Sequence, residues 1–178
     1  MEPATIRPDS RRRQTHILIS PLSQTPEPTA PCEAVRVVLD TNVLLDWLVF
    51  GHPCGEAIEH RLCAGSARWI ASTELQGELM HVLGRGGLDR WKPDLQRIES
   101  AWNLHAINLR PPESLGMHRL RCTDTDDQKF IDFALAHRAA LLTRDRAVLK
   151  LARRAGRFGF AILTPEQWLA RDDAVNRA

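Results

Sequence analysis

The stretch Val35-Arg36-Val37-Val38-Leu39-Asp40-Thr41-Asn42-Val43-Leu44-Leu45 decides the fold of this 178-residue chain. A short apolar run rich in β-branched residues passes through an acidic, amide-bearing turn into a second apolar run that continues to Trp47, Leu48, Val49 and Phe50. That pattern predicts a buried strand feeding directly into a helix. In an open parallel α/β sheet, ligands and chemistry gather just beyond the carboxyl ends of the strands, and Asp40 stands at that edge. Two roles are open to it. A side-chain oxygen of Asp40, Thr41 or Asn42 could simply cap the helix by satisfying a free backbone N–H, or Asp40 could belong to a site. The turn alone does not choose between them.

Working outward, the length fits one domain with a core of ordinary size plus a tail. An apolar fraction of 43% with 26% charged residues is the balance of a globular domain. The formal net charge of +2 neither demands nor excludes a nucleic-acid partner. No apolar run approaches the ~20 residues needed to cross a bilayer, so no membrane association is expected. Residues 1–34 carry Pro3, Pro8, Pro21, Pro26, Pro28 and Pro31 with polar residues between them, and read as a disordered extension. Its Arg11-Arg12-Arg13 could touch RNA or an acidic partner, and the solvated basic tail is the simpler account. Only Ile17-Leu18-Ile19 follows that triplet, which is no secretory signal, and a cytoplasmic location is the expectation. Cys32, Cys54, Cys63 and Cys122 have neither CxxC spacing nor a regular pairing with His, so free thiols are expected rather than zinc or a disulfide framework.

The remaining chain alternates strand and helix. Gly51 to Gly55 reads as a loop, Glu56 to Cys63 as a helix, Ala67 to Ala71 as a strand, and Ser72 or Thr73 as the cap of a helix to about Arg85. In that helix Leu75, Leu79, Val82 and Leu83 make one apolar stripe; Glu78 lies on its flank and Glu74 farther toward solvent. A helix from Asp94 to Ala106 with a packed His105, and a short strand from Ala106 to Leu109, come next. Thr123 or Asp124 can cap a helix whose inner stripe is Phe130, Ile131 and Ala134, with Asp127 on that side in its first turn. Ala139 to Thr143 is a fourth strand, with Asp145 repeating the situation of Asp40. One helix then carries Val148, Leu151, Ala152 and Ala155 inward and Lys150, Arg153, Arg154 and Arg157 outward. Phe160 to Leu163 is a fifth strand, and Pro165 opens a last helix at its first position. The order predicts a three-layer α/β/α sandwich around a mostly parallel sheet of about five strands over residues 35–171, with a short tail at 172–178.

Four carboxylates, Asp40 and Asp145 at strand ends and Glu78 and Asp127 on helices, converge on one edge of such a sheet. Ionised together they would raise one another's pKa, and an acid turned toward apolar neighbours carries a desolvation cost unless something pairs with it. A solvent-facing acid on an amphipathic helix and a dipole-favoured acid in a first turn are the plainer accounts of Glu78 and Asp127. One or two Mg2+ or Mn2+ ions would answer the whole set at once, because these hard cations take carboxylate oxygens. Such ions suit hydrolysis of a phosphodiester. Asn42 and Thr143 could orient an acid or a phosphate oxygen, or be turn residues only.

Leu39-Asp40-Thr41-Asn42, the segment Ser72 to Leu79, Asp124-Thr125-Asp126-Asp127-Gln128-Lys129-Phe130 and Leu142-Thr143-Arg144-Asp145-Arg146 together resemble a PIN domain, in particular the branch described as toxin components of toxin–antitoxin systems. The resemblance runs in order from about Arg36 to Leu169. It implies a metal-dependent ribonuclease, often dimeric and sometimes held inactive by an antitoxin protein. Carried over by position, the metal-binding and catalytic acids become Asp40, Glu78, Asp127 and Asp145, with Asp124 as an additional ligand. Arg144 departs from the pattern, since relatives usually place a small or amide residue there. Its guanidinium could hold substrate phosphate or partly neutralise the acids. Asp46 reads as a solvated rim acid, and Lys150, Arg153 and Arg154 as an RNA-binding face. The same fold also accommodates a catalytically silent module that binds RNA or protein. A receiver-like domain and a DxDx phosphatase fit less well, because the acceptor and nucleophile motifs they need are not in place.

Overall fold

The computed structural model describes residues 34–113 and 120–175. Residues 1–33, with their arginine triplet, residues 114–119 and residues 176–178 lie outside the described part. The strands are β1 (Val35–Leu39), β2 (Ala67–Ala71), β3 (Ala106–Asn108), β4 (Ala140–Leu142) and β5 (Ile162–Leu163). All pairings are parallel, in the spatial order β3-β2-β1-β4-β5. The chain therefore steps outward on one side of β1, crosses back, and steps outward on the other. Its topological switch point lies between β1 and β4, the place beyond whose strand ends open parallel sheets bind their ligands.

The helices are α1 (Thr41–Leu48), α2 (Pro53–Cys63), α3 (Thr73–Gly84), α4 (Leu95–His105), α5 (Gln128–His137), α6 (Arg146–Leu149), α7 (Ala152–Ala155) and α8 (Pro165–Val175). Right-handed crossovers that reverse direction at β1 send helices to opposite faces of the sheet, and the apolar core divides accordingly. On one side Val37, Leu39, Trp69, Ala71, Leu142 and Leu163 pack with α1, α2, α4 and α8. On the other, Val38, Ile70, Leu141 and Ile162 pack with α5, α6 and α7. Alternation with period two thus supplies both faces, as a strand covered on both sides requires. A row of tryptophans fills the first core, with Trp69 edge-on to Trp47 at 6.0 Å and to Trp102 at 4.8 Å between ring centroids. His105 packs against Trp47 at 5.9 Å, in keeping with a packed histidine.

Three local differences from the sequence reading have physical causes. α2 begins at Pro53 rather than Glu56, because His52 Nδ1 accepts the Cys54 N–H at 3.2 Å and Pro53 occupies the first helical position, where no N–H is needed. Gly55, read as a loop residue, is buried in that helix: a Cβ there would come within 2.4 Å of Trp47 Cα, so glycine is what lets α2 close on α1. The helix after β4 is not one piece. Its turns tighten at Leu151, whose N–H bonds to Val148 at 2.9 Å, and at Arg154, whose N–H bonds to Leu151 at 2.9 Å, both in the i to i−3 pattern. Val148, Leu151 and Ala155 stay buried through the break. α8 runs to Val175, four residues into the stretch read as tail.

Candidate metal centre

Parallel strands end side by side, so the first residues after β1 and β4 must be neighbours. The Asp40 N–H bonds to the Leu142 carbonyl at 3.0 Å, carrying the ladder one step past the strands and delivering Asp40 and Thr143 to the same place. Both are buried, Asp40 at 3% exposure and Thr143 at 0%. The Thr143 hydroxyl donates to Asp40 Oδ2 at 2.5 Å and accepts the Asp145 N–H at 3.0 Å. One hydroxyl therefore links two of the acids read from the sequence.

Asp40 and Asp145 looked equivalent in the sequence, and here they part. Asp145 is a working N-cap: its Oδ1 accepts from the N–H groups of Ala147 at 2.6 Å and Val148 at 3.1 Å. Asp40 occupies the N-cap position of α1 without closing a side-chain cap. Burial pushes its pKa up. The Thr143 hydroxyl and the nearby Thr41 and Asn42 amides ease it, while the Asp145 charge pushes it up further. The hydroxyl of Thr41, beside Asp40, is buried and has no hydrogen-bond partner among the described residues.

Asp127 comes from the second face of the fold. The helix read as capped by Thr123 or Asp124 begins instead at Gln128, with Asp127 itself at the N-cap position and no capping bond from its side chain. Gln128 organises the entry: its amide oxygen accepts the Cys122 N–H and its amide N–H groups donate to the Leu120 carbonyl and the Asp132 carboxylate, each bond within 2.8 Å. The Asp127 carboxyl is pushed up to about 6, by burial first and then by the charges of Asp40, Asp145, Asp124 and Asp126. Asp40, Asp127 and Asp145 are therefore close enough to feel one another. Among the described residues no ammonium or guanidinium group is ion-paired with any of the three. Asp124 is exposed at the rim, its Oδ1 accepting the Asp126 N–H at 2.9 Å, and the Asn42 side chain is exposed on the first turn of α1.

Glu78 is placed differently. Its Oε2 accepts from the Lys129 ammonium at 2.7 Å, joining α3 to α5 across 51 positions of sequence. Arg144, read as a substrate or cluster residue, is likewise engaged. Its Nε bonds Asp46, its Nη2 bonds Glu166 Oε1 at 2.7 Å, and the same nitrogen lies 3.5 Å from both ring nitrogens of His52. Asp46 is thus a half-buried ion-pair partner and not a solvated rim acid. Burial alone would raise Glu166, but the guanidinium more than reverses that and holds its carboxyl down at about 2. The Cys54 thiol, pushed up by burial and then by Glu166, donates to the same Oε1 at 3.3 Å. His52, Cys54 and Glu166 bring three potential metal donors within 4.8 Å of one another, a cluster that sequence spacing did not suggest. The Arg144 guanidinium already lies against it as the resident cation. Lys150, Arg153 and Arg154 are exposed, as expected, on and after α6. Gly156, just beyond α7, lines a surface hollow with Val35, Arg36 and Arg138, so the chain after α7 has returned to the edge where the strands begin.

The donors gathered here are carboxylate oxygens, the kind of ligand a hard divalent cation takes, and among the described residues no cation is paired with them. The group whose possible ligand atoms all lie within 4.8 Å of one another is nonetheless His52, Cys54 and Glu166, not the three aspartates. A sequence model described as PIN domain matches residues 36–147. Among solved structures, the chain is similar to the crystal structure of VapBC2 from Rickettsia felis bound to a DNA fragment from their promoter, at 16% identity and a TM-score of 0.47, the match covering 72% of this chain and 97% of that one. No curated protein matches by sequence.

Proposed function

This chain belongs to the PIN domain family, and from that premise we propose that it is a divalent-metal-dependent endoribonuclease hydrolysing RNA phosphodiester bonds. The observation that carries the proposal is the uncompensated cluster of Asp40, Asp127 and Asp145 at the switch point, with Asp127 pushed up to about 6. These three residues would hold Mg2+ or Mn2+, with Asp124 at the rim and Glu78 on the α3 side. When bound, the ion would supply an activated water and charge stabilisation at the phosphoryl oxygens. The chain's own part is positioning. Thr143 fixes the Asp40 carboxylate, Asp145 is held by the amides of α6, and Asp127 stands at the start of α5. At neutral pH the raised Asp127 is still largely ionised and can take a cation directly, while Asp40, pushed up by burial, would give up any proton it holds when a cation binds. An antitoxin protein and a second copy of the chain are the partners proposed on family grounds.

A catalytically silent module remains the second reading, favoured by one observation: Glu78 is already occupied by Lys129. The test is cleavage of a mixed panel of labelled RNAs by purified protein with Mn2+, with Mg2+ and with chelator. Asp40→Asn should lower metal-dependent cutting by at least about 100-fold, as removing a key electrostatic group does, while raising the melting temperature of the metal-free protein by relieving repulsion. Equal cutting by wild type and variant would remove the site assignment, and no cutting under any condition would favour the silent module.

A further inference from the structure

The first turns of α2 and α8 bring together three side chains of different chemistry. His52 stands at the N-cap of α2, Cys54 in its first turn, and Glu166 in the first turn of α8. One ligand atom from each lies within 4.8 Å of the other two, and Cys54 Sγ is 3.3 Å from Glu166 Oε1. Tetrahedral zinc, with bonds of about 2.3 Å to sulfur and about 2.1 Å to nitrogen or oxygen, holds its ligand atoms ~3.5 Å apart. The two helices are already fastened to each other: Arg61 of α2 donates to the Leu169 carbonyl of α8 at 2.8 Å, and its guanidinium lies 4.8 Å from the centre of the Trp168 ring. The His52 ring is set as well. Its Nδ1 accepts the Cys54 N–H at 3.2 Å, so in the neutral ring the proton is on Nε2 and Nδ1 keeps the lone pair.

We infer that His52, Cys54 and Glu166 form a binding site for a thiophilic divalent ion such as Zn2+, which takes Glu166 in exchange for the Arg144 guanidinium. The site shares no ligand with the aspartate centre and does not depend on the nuclease reading. Thiolate and imidazole donors favour such an ion over Mg2+ or Mn2+. Arg144 holds the cluster only in part. It serves two carboxylates at once, so Asp46, Glu166 and Arg144 together carry one negative charge, and its Nη2 stands 3.5 Å from the His52 nitrogens, beyond a good hydrogen bond. On binding, the Cys54 S–H bond breaks, its proton passes to solvent, and the sulfur takes the metal. His52 Nδ1 trades the amide for the ion, and Glu166 trades Arg144, which keeps Asp46. Thiolate and Glu166 then balance the dication, and Arg144 balances Asp46. Burial and then Glu166 hold the Cys54 thiol protonated, and a dication between sulfur and carboxylate turns the second of these into a shared attraction. Three protein donors leave the fourth position to water.

The experiment uses the full chain with Co2+ as a coloured probe and Zn2+ as its competitor. Wild type should bind one equivalent of Co2+ with a sulfur-to-metal charge-transfer band, which Zn2+ removes. That band reports a thiolate, which the aspartate centre lacks, so the two sites are read separately. Cys54→Ser should lose the band, while a chain with Cys32, Cys63 and Cys122 all replaced by serine should keep it. His52→Gln and Glu166→Gln should each weaken Zn2+ binding by at least about tenfold, the least that losing even an indirect metal contact costs. Arg144→Gln, which removes the competitor, should tighten it several-fold. No band in wild type, a band that survives Cys54→Ser, or unchanged affinity in Glu166→Gln would overturn the site; weaker binding in Arg144→Gln would overturn the exchange. If Cys54→Ser fails to fold, alkylation of wild type mapped by mass spectrometry decides: Zn2+ should protect Cys54, and a Cys54 modified equally fast with and without Zn2+ would overturn the site.

Discussion

Two clusters of carboxylates flank the turn Thr143-Arg144-Asp145, and they are electrostatic opposites. Toward the β1/β4 strand ends, Asp40, Asp127 and Asp145 act on one another with no ion-paired cation among the described residues, and the Asp127 carboxyl rises to about 6. Toward α8, Asp46 and Glu166 share the Arg144 guanidinium, and the Glu166 carboxyl falls to about 2. The acids in both are ordinary Asp and Glu side chains in one small fold. The difference is whether the chain provides the counter-charge or leaves it to be supplied. A finished ion-pair network ties α1, β4 and α8 together; an unfinished one stores unfavourable energy that a bound cation would release. Consecutive residues of one turn feed both sides: the Thr143 hydroxyl and the Asp145 carboxylate serve the first, and the Arg144 side chain serves the second.

The comparison can be broken most severely at Thr143. Its hydroxyl makes the largest contribution among the hydrogen bonds that ease the buried Asp40 carboxyl, ahead of the Thr41 and Asn42 amides. Thr143→Val keeps the volume and removes the donor, leaving a buried carboxylate short of a hydrogen bond. We expect a loss of about 2 kcal/mol in urea unfolding of the metal-free protein at pH 7, within the usual cost of stranding a buried polar group. A loss below about 0.5 kcal/mol would mean that the hydroxyl does not support Asp40, and that the two strand ends are coupled through the backbone alone.

Most of the fold was legible in the sequence, and for a definite reason. The run from Val35 to Leu45 combines local signals, a β-branched apolar run and a turn acid, that need no distant partner to be read. So do the apolar stripe of α3 and Pro165 at the start of α8. What escaped is contact-dependent. Nothing local distinguishes Asp40 from Asp145, yet one closes a side-chain cap on its helix and the other does not. Nothing near Glu78 announces Lys129, 51 residues away, or ties Arg144 to Asp46 across 98. Asp46 looked solvated because its partner arrives from the end of β4. The break after α6 went unseen because the apolar spacing of Val148, Leu151 and Ala155 survives it. His52, Pro53 and Cys54 read as loop composition, although a residue able to cap followed by proline was a helix-start signal already present.

pH sharpens the contrast with a smaller effect, because the two clusters should titrate with opposite sign. Asp127 binds its proton more tightly folded than unfolded. Its contribution therefore favours the fold most below its unfolded value near 4, falls as pH rises to about 6, and is flat beyond. Glu166 does the reverse: its contribution is complete above its unfolded value of about 4.5 and is lost as pH falls through about 2. In chelator, Asp127→Asn should flatten the decline between about pH 4 and 6 by on the order of 1 kcal/mol, and Glu166→Gln should leave that window alone while softening the loss at lower pH. Glu166 is half exposed, so solvent screening makes its effect the smaller. Saturating Mn2+ should abolish the Asp127 window and leave the Glu166 window unchanged. A decline that persists in Asp127→Asn would assign the uncompensated charge to Asp40 instead.

The weakest expected effect concerns the basic face. If the acids hold the ion and the arginines hold the RNA backbone, the two should separate in measurement: the acids stand at the strands' carboxyl ends, whereas Arg153 and Arg154 lie on α7, on the return of the chain toward the start of β5. Exposed side chains there can add phosphate contacts but cannot arrange the reacting atoms. Arg153→Glu with Arg154→Glu should therefore weaken RNA binding several-fold with kcat little changed. The slope of log affinity against log salt should become shallower by about 0.7 for each single-strand phosphate that an arginine no longer neutralises, near 1.4 if each arginine meets one. An unchanged slope would remove α7 from the RNA footprint and place the whole of binding elsewhere on the chain. A fall in kcat equal to the fall in affinity would mean instead that the arginine face and the acidic centre act on the RNA as one surface.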